Sequence, residues 1–276
     1  MQHCAARPVM PVTAVNDTFQ RFLMTKIIMR GCNGHMGRVI ADIVAADKDA
    51  EIVAGIDLTG QSDRPFPVYE SLAEVKEQAD VVIDFTSPKL LTELLRDAKA
   101  KNLPLVLCST GYTAEQIEEI NAASKDLAVF RSANMSLGIN TLLKLVKAVT
   151  AVLAPEGFDI EIVERHHKLK LDAPSGTALA IADAIDEALP EPYERVYDRS
   201  ARREQRPAKE IGISAVRGGT IVGEHEIIFA GTDEVIEIKH TAYSKAIFGK
   251  GAVAAAKFLA GKGPGLYNMQ DAMDME

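Results

Sequence analysis

From Glu164 to Leu179 the chain reads ERHHKLKLDAPSGTAL, with two adjacent histidines, two lysines and a Pro-Ser-Gly-Thr turn in sixteen residues. Histidine titrates near neutral pH and can give or take a proton, and a lysine beside it adds positive charge and a second transferable proton. Ser175 and Thr177 stand where an apolar helical run begins. Hydroxyls and free N–H groups at the start of a helix, on the positive end of its dipole, suit a carboxylate. His166, His167, Lys170, Ser175, Gly176 and Thr177 could therefore hold a small acid and protonate it. A capped helix behind a basic strand end would also account for Pro-Ser-Gly-Thr, but not for the histidines and lysines ahead of it. A metal is not expected: adjacent residues of an extended strand point to opposite faces, and no cysteine or acidic residue nearby has ligand spacing.

A second constellation is the turn Gly31, Cys32, Asn33, Gly34, His35, Met36, Gly37. It lies between an apolar run and a helical pattern, where glycines let the backbone approach a diphosphate and the helix start supplies N–H donors. The spacing is G-x-x-G-x-x-G, with Asn33 where the usual fingerprint has its second glycine. Tight strand-to-helix turns also use glycine for steric reasons alone. Asp57, twenty residues past Gly37 at the end of the next apolar run, favours a nucleotide, because a carboxylate there can accept from ribose hydroxyls. The same carboxylate repels a 2′-phosphate and Leu58 offers no cation, so NADH is expected over NADPH; His35 and Arg64 are the cations that could still reach such a phosphate. Phe85, Thr86 and Ser87, then Ser109, Thr110 and Gly111, then Ser132, Ala133, Asn134 and Met135 end three further apolar runs. Polar groups at the carboxyl ends of parallel strands are placed to line a nicotinamide pocket, although such residues are also common in loops.

The elements carrying these residues follow from periodicity. Lys26–Met29, Glu51–Asp57, Ala79–Pro88, Leu103–Gly111 and Leu127–Asn134 contain near-continuous apolar strands alternating with helical patterns. That is the signature of a parallel α/β sheet covered on both faces. Residues 139–153 read as one apolar helix, Phe158–Glu164 as a half-buried strand of period two, and 178–189 as a helix. The charge run from Tyr193 to Glu210 reads as a solvated mobile loop, and the segments after it as three strands of an antiparallel meander. An Ala-rich helix stopped by glycines follows. Residues 1–24 show no strong period and read as a disordered tail, or as the product of an upstream start with Met24 the natural one; an organelle transit peptide is the alternative.

At 276 residues the chain suits two modest domains. A net charge of −8 argues against nucleic-acid binding, and no apolar run approaches the roughly 18 residues needed to cross a membrane. Cys4, Cys32 and Cys108 are odd in number and scattered, which fits a reducing cytoplasm and not a disulfide framework. On the residues alone, another nicotinamide-dependent oxidoreductase of a small amino or keto dicarboxylate, or a non-catalytic NADH-binding sensor, stay open.

The stretch ERHHKLKLDAPSGTAL closely resembles the signature of bacterial dihydrodipicolinate reductases. The resemblance extends to GCNGHMGR, VIDFTSP, the STG turn, SANMSLGIN, VRGGTIVGEHEIIFA and FLAGKGPGLYNM, in order along nearly the whole chain after Met24. It implies a Rossmann-type domain of residues 25–136 and 246–276, with a mixed α/β domain of residues 137–245 inserted for substrate binding and assembly of a homotetramer. It implies a cyclic imine dicarboxylate as substrate in lysine and diaminopimelate biosynthesis, with hydride delivered to ring C4 and a proton to C3. His166 matches the catalytic histidine and Lys170 the proton-donating lysine. His167, Lys170, Ser175, Gly176 and Thr177 match the dicarboxylate ligands. Gly31–Met36, Asp57, Ser109–Gly111 and Ser132–Met135 match cofactor contacts. The chain departs from the pattern at Cys108, His35 and Leu58, the last two standing where some members carry arginine.

Overall fold

The computed structural model describes residues 24–61 and 63–273, so the expectation for the N-terminal extension falls, Met24 apart, outside the described residues. In chain order the elements are β1 (Thr25–Arg30), α1 (His35–Ala45), β2 (Ala50–Ile56), β3 (Val68–Tyr69), β4 (Val81–Asp84), α2 (Leu91–Lys101), β5 (Leu105–Leu107), α3 (Ala114–Ala123), β6 (Ala128–Arg131) and α4 (Leu137–Leu153). They continue with β7 (Asp159–His166), α5 (Gly176–Asp186), β8 (Glu194–Val196), β9 (Glu210–Arg217), β10 (Gly223–Ala230), β11 (Val235–Ala242), α6 (Ala246–Leu259), β12 (Gly265–Tyr267) and α7 (Met269–Met273).

Seven strands form a wholly parallel sheet in the order β12-β6-β5-β4-β1-β2-β3. The order 3-2-1-4-5-6 is that of a Rossmann sheet, whose order reverses beside β1 and opens a crevice at the carboxyl ends of the strands. Both faces are covered, which is why these strands read as continuous apolar runs. Ile27, Met29, Ile83, Val106 and Phe130 pack under α1 and α6. Ile28, Val82, Leu105, Leu107 and Val129 pack under α2 and α3. Helix α6 and strand β12 thus return, after five strands of another sheet, to complete the sheet begun at β1.

The second sheet has the order β11-β10-β7-β9-β8. Strand β7 alternates half-buried and buried residues along its whole length, as its period of two requires. The register aligns rows across the face under α4 and α5. Ile213, Ile162, Ile227 and Ile238 form one row; the next holds Ala215, Glu164, His225 and His240; the last holds Arg217, His166 and, from the antiparallel register, Gly223. The apolar face therefore turns polar at the carboxyl end of β7.

The expected meander is corrected here. Strand β9 lies parallel to β7 on one side and β10 antiparallel on the other, so β7 separates them, and only β10 and β11 form a hairpin. Strand β7 carries wholly buried Ile160, Ile162 and Glu164, and a central position gives its backbone partners on both edges. The link from β9 to β10 crosses the end of β7: Gly218 N–H donates to His166 O at 2.9 Å, and Lys168 N–H to Gly219 O at 3.2 Å.

The charge run is mostly exposed, as expected of a solvated loop, but it is tied down. It contributes β8, and Arg206 donates to Asp159 (2.5 Å) and Glu161 (3.0 Å), Arg199 to Glu161 (2.6 Å), and Arg202 to buried Glu210 (2.7 Å). Carboxylates on β7 and β9 collect the arginines and fold the segment against the sheet. Helix α5 begins earlier than expected because Ser175 caps it, and it stops short of Pro190, whose ring disfavours helix before it.

Candidate active site

On the first sheet, Gly31, Asn33, Gly34, Asp57, Phe85 and Thr86 line a cleft of about 550 Å3 at the carboxyl ends of the strands. Gly31 has φ +83°, and a Cβ there would sit 2.9 Å from Phe85 O. Gly37 lets α1 lie against the turn, since a Cβ there would overlap Gly31 O and come within 2.7 Å of Cys32 Cα. No side chain caps α1, so its first-turn N–H groups are free to meet an anion. Asp57 accepts from Asn33 N–H and Leu58 N–H, each at 2.9 Å, which ties the end of β2 to the glycine turn and leaves lone pairs for a ribose. A bare helix start, a backbone without Cβ atoms and a carboxylate at the far end together fit a dinucleotide.

The remaining expected contacts divide. Exposed His35 and half-buried Met36 open α1. Cys32 is buried with its thiol against Gly55 and 3.8 Å from Asn33 Oδ1. Burial, then the charge of Asp57, pushes that thiol up to about 11. Thr86 and Ser109 are gathered by Asp84, which accepts from Thr86 Oγ1 (2.7 Å), Ser109 Oγ (3.2 Å) and Arg30 (2.9 Å). Arg30 and Asp84 form a buried ion pair that periodicity did not reveal, because each ends an otherwise apolar strand. Thr110 and Gly111 are exposed beyond β5. Beyond β6, Ala133 is exposed, Met135 is buried and Ser132 Oγ donates to Asn134 O at 3.0 Å.

On the second sheet the sequence-picked residues converge at the end of β7. His166 is buried, and its Nδ1 lies 2.6 Å from Glu164 Oε2. That contact makes Nδ1 the protonated nitrogen of the neutral ring and leaves Nε2 to exchange protons. Burial lowers the affinity of His166 for a proton, with Glu164 opposing and Lys170 and Arg217 adding to the effect. Lys170 Nζ pairs with Asp172 Oδ1 at 2.8 Å. The Nδ1 of His167 is buried and has no hydrogen-bond partner among the described residues. Gly176 is exposed at the start of α5 and Thr177 half-buried.

Ser175 is set deeper than its neighbours. It is 2% exposed; its N–H donates to Glu164 Oε1 (3.0 Å), and its hydroxyl accepts from Ala178 N–H (3.1 Å) and meets His225 Nε2 (2.9 Å). His225, on β10, is held down to about 4 by burial and then by neighbouring His166. Glu164, Arg217, His225 and His240 were not singled out from the sequence. Glu164 opens the quoted motif, and the Gly-Glu-His of β10 was the other available signal. The two halves meet where Asn134 Nδ2 donates to Thr177 Oγ1 at 3.1 Å. Among the described residues no group of three or more His, Cys, Asp or Glu could hold a metal, and no helix is long and apolar enough to cross a membrane.

Family models for dihydrodipicolinate reductase match the chain in two pieces, the N-terminus model over residues 25–135 and the C-terminus model over 138–273. The chain belongs to the dihydrodipicolinate reductase family. A curated 4-hydroxy-tetrahydrodipicolinate reductase of Caldanaerobacter subterraneus is 54% identical over 249 residues, covering 90% of this chain and 98% of that protein. Proteins of the same name from Clostridium tetani and Staphylococcus epidermidis are each 48% identical, over 90% and 86% of this chain and 96% of each relative. Among solved structures, a dipicolinate-bound dihydrodipicolinate reductase from Paenisporosarcina sp. TG-14 has the same fold, with a TM-score of 0.74 at 24% identity over 89% of this chain and 98% of that one. As a family member the chain is an oxidoreductase that binds a nicotinamide dinucleotide and acts on a small molecule.

Proposed function

We propose that the chain reduces 4-hydroxy-tetrahydrodipicolinate to tetrahydrodipicolinate in lysine and diaminopimelate biosynthesis, the reaction its relatives are named for. The unit of residues 25–136 and 246–276 holds the cofactor, and residues 137–245 hold the substrate and the contacts of a homotetramer. The observation that carries the placement of substrate beside cofactor is the Asn134–Thr177 hydrogen bond, which joins a strand-end loop of the Rossmann sheet to the first turn of α5.

The C4 hydroxyl leaves as water with a proton from C3, giving a conjugated imine to which a bound nicotinamide would supply the hydride at ring C4. The N–H groups of Gly176 and Thr177, at the start of α5, hold a substrate carboxylate on the positive end of the helix dipole. Lys170 and His167 complete the anion site. Ser175 acts from behind the turn, because its hydroxyl and its N–H are engaged inside the fold. Lys170 rests on Asp172, whose side chain is more than half exposed, so the pair is weak and an incoming carboxylate can replace Asp172. Lys170 delivers the proton to C3, and His166, with Nε2 as its exchangeable site, stabilises the charge that develops.

NADH is preferred over NADPH. Leu58 stands exposed next to Asp57, Arg64 pairs with Asp42 on α1, and Arg38 leans on Asn33 O and Asp63, so the nearby arginines are already engaged. The outer face of the second sheet, with exposed Val216 and Val235 and half-buried Val163 and Ile228, joins none of the described cores and serves the tetramer. Buried, unpaired Cys32 and Cys108 agree with a cytoplasmic location. The test is oxidation of NADH and NADPH, side by side, when the condensation product of aspartate semialdehyde and pyruvate is supplied. Turnover that is faster with NADH and falls by at least about a hundredfold in Lys170→Ala supports the reading. No turnover with either cofactor sinks it.

A further inference from the structure

The face of the second sheet that packs under α4 and α5 is apolar through Ile160 and Ile162, and the next residue of β7 on that face is Glu164, wholly buried. An apolar side chain there would continue the packing without the cost of burying a charge, so a carboxylate at that position calls for a function. Its oxygens accept four hydrogen bonds. Oε2 takes His166 Nδ1 (2.6 Å) and Arg217 (2.7 Å); Oε1 takes Arg217 (2.7 Å) and Ser175 N–H (3.0 Å). Those donors come from β7 itself, from β9 and from the turn that opens α5. Arg217 is held in turn by Asp172 O at 2.5 Å, within the segment that carries Lys170.

We propose that Glu164 is the positioning residue of the proton step: one buried carboxylate sets the ring tautomer of His166 and the placement of the Ser175–Thr177 turn together. The proposal rests on the roles given above to His166 and that turn. All four acceptor sites of Glu164 are filled, so the carboxylate touches no ligand and acts through its partners. Burial pushes the carboxyl of Glu164 up, but the bonds from Arg217, His166 and Ser175 N–H outweigh that and hold it below the ordinary carboxylate range. It therefore stays ionised. An ionised carboxylate on Nδ1 leaves Nε2 as the exchangeable site and favours the protonated ring. The other charged or titratable groups facing His166 are Arg217 on β9, Lys170 on the following turn and His225 on β10, whose ring lies 5.2 Å away. Burial, then Lys170 and Arg217, disfavour the protonated ring, and Glu164 is the group that supports it.

Three measurements test this. In the wild-type protein, nitrogen-15 correlation spectra of the histidine rings should show neutral His166 as the Nδ1–H tautomer; an Nε2–H tautomer overturns the proposal whatever the activity. In Glu164→Gln, which keeps the shape and removes the charge, kcat should fall by about 10–100-fold. The limb of the kcat profile that reports His166 should move to lower pH. A purely structural role would lower the folded fraction and leave that limb in place. Glu164→Asp, which retains the charge, should return the limb towards its wild-type position even if the rate recovers only in part. An unmoved limb with kcat within about threefold of wild type in Glu164→Gln refutes the positioning role. Failure of the underlying reading is separate: it would show as an inactive wild type, and the tautomer measurement still decides the role of Glu164.

Discussion

Replacing Ser175 by alanine separates a scaffold from a ligand contact. The hydroxyl caps α5 through Ala178 N–H and meets His225 Nε2, and the residue is 2% exposed. Loss of an N-cap costs about 1 kcal/mol. His225 is itself only 4% exposed, and its Nδ1 has no partner among the described residues, so the substitution leaves a buried imidazole with neither nitrogen bonded to them. Removing one partner from a buried polar group costs about 1–3 kcal/mol. The two terms together predict a loss of roughly 2–4 kcal/mol. For a chain of this size that lowers the thermal midpoint by roughly 4–16 °C. Urea unfolding followed by circular dichroism measures the loss directly. The N–H of Ser175 still reaches Glu164, so the turn keeps its place and the KM for the dicarboxylate should change by less than about threefold. A stability loss below about 0.5 kcal/mol with a KM more than about tenfold higher would show that the hydroxyl touches substrate, and would refute the reasoning.

The low proton affinity of His225 makes stability depend on pH. The unfolded ring binds a proton near pH 6.5 and the folded ring only near 4, so the stabilisation is full above about pH 6.5 and is lost as pH falls towards 4. By pH 5 the loss is about 2 kcal/mol; His225→Gln should flatten this slope in urea titrations at pH 7.5 and 5.0, and an unchanged slope would count against it. Gly37→Ala places a Cβ into Gly31 O and Cys32, so it should cost about 1–3 kcal/mol and raise the KM for NADH, whereas an unaffected KM would mean that the turn does not hold the cofactor. Thr177→Val removes the bond from Asn134, and kcat/KM should fall roughly 2–12-fold without a matching loss of stability.

What the sequence made legible was local. The glycine turn, Asp57 and the Ser-Gly-Thr cap each declare themselves within a few residues, because the backbone conformations they serve are local. Strand β7 showed its period for the same reason. The partners of that strand were not legible. Arg217 and His225 are 53 and 61 residues from Glu164 and read as ordinary strand residues, and only the non-local pairing of β9 and β10 with β7 brings them beside it. The expected meander failed on the same point, since a Gly-Gly link between two strands does not reveal that a third lies between them. The ties of the arginine-rich segment to the sheet were not legible because two of its neutralising carboxylates, Asp159 and Glu161, lie on β7, outside the run. Ser175 was recognised as a helix cap, but its depth follows from His225, fifty residues away.

The return of α6 and β12 to the Rossmann sheet bears on how the protein is made. Ala252, Val253, Ala255, Ala256, Phe258 and Leu259 of α6 cover one face of the sheet begun at β1. A nascent chain that has emerged only as far as β11 holds every strand of the second sheet, yet has only α1 to cover that face of the first. The inserted half can therefore fold on the ribosome before the half that precedes it is complete. During that interval an apolar surface waits for the rest of its cover, and a pause in translation ahead of Ala246 would prolong the exposure.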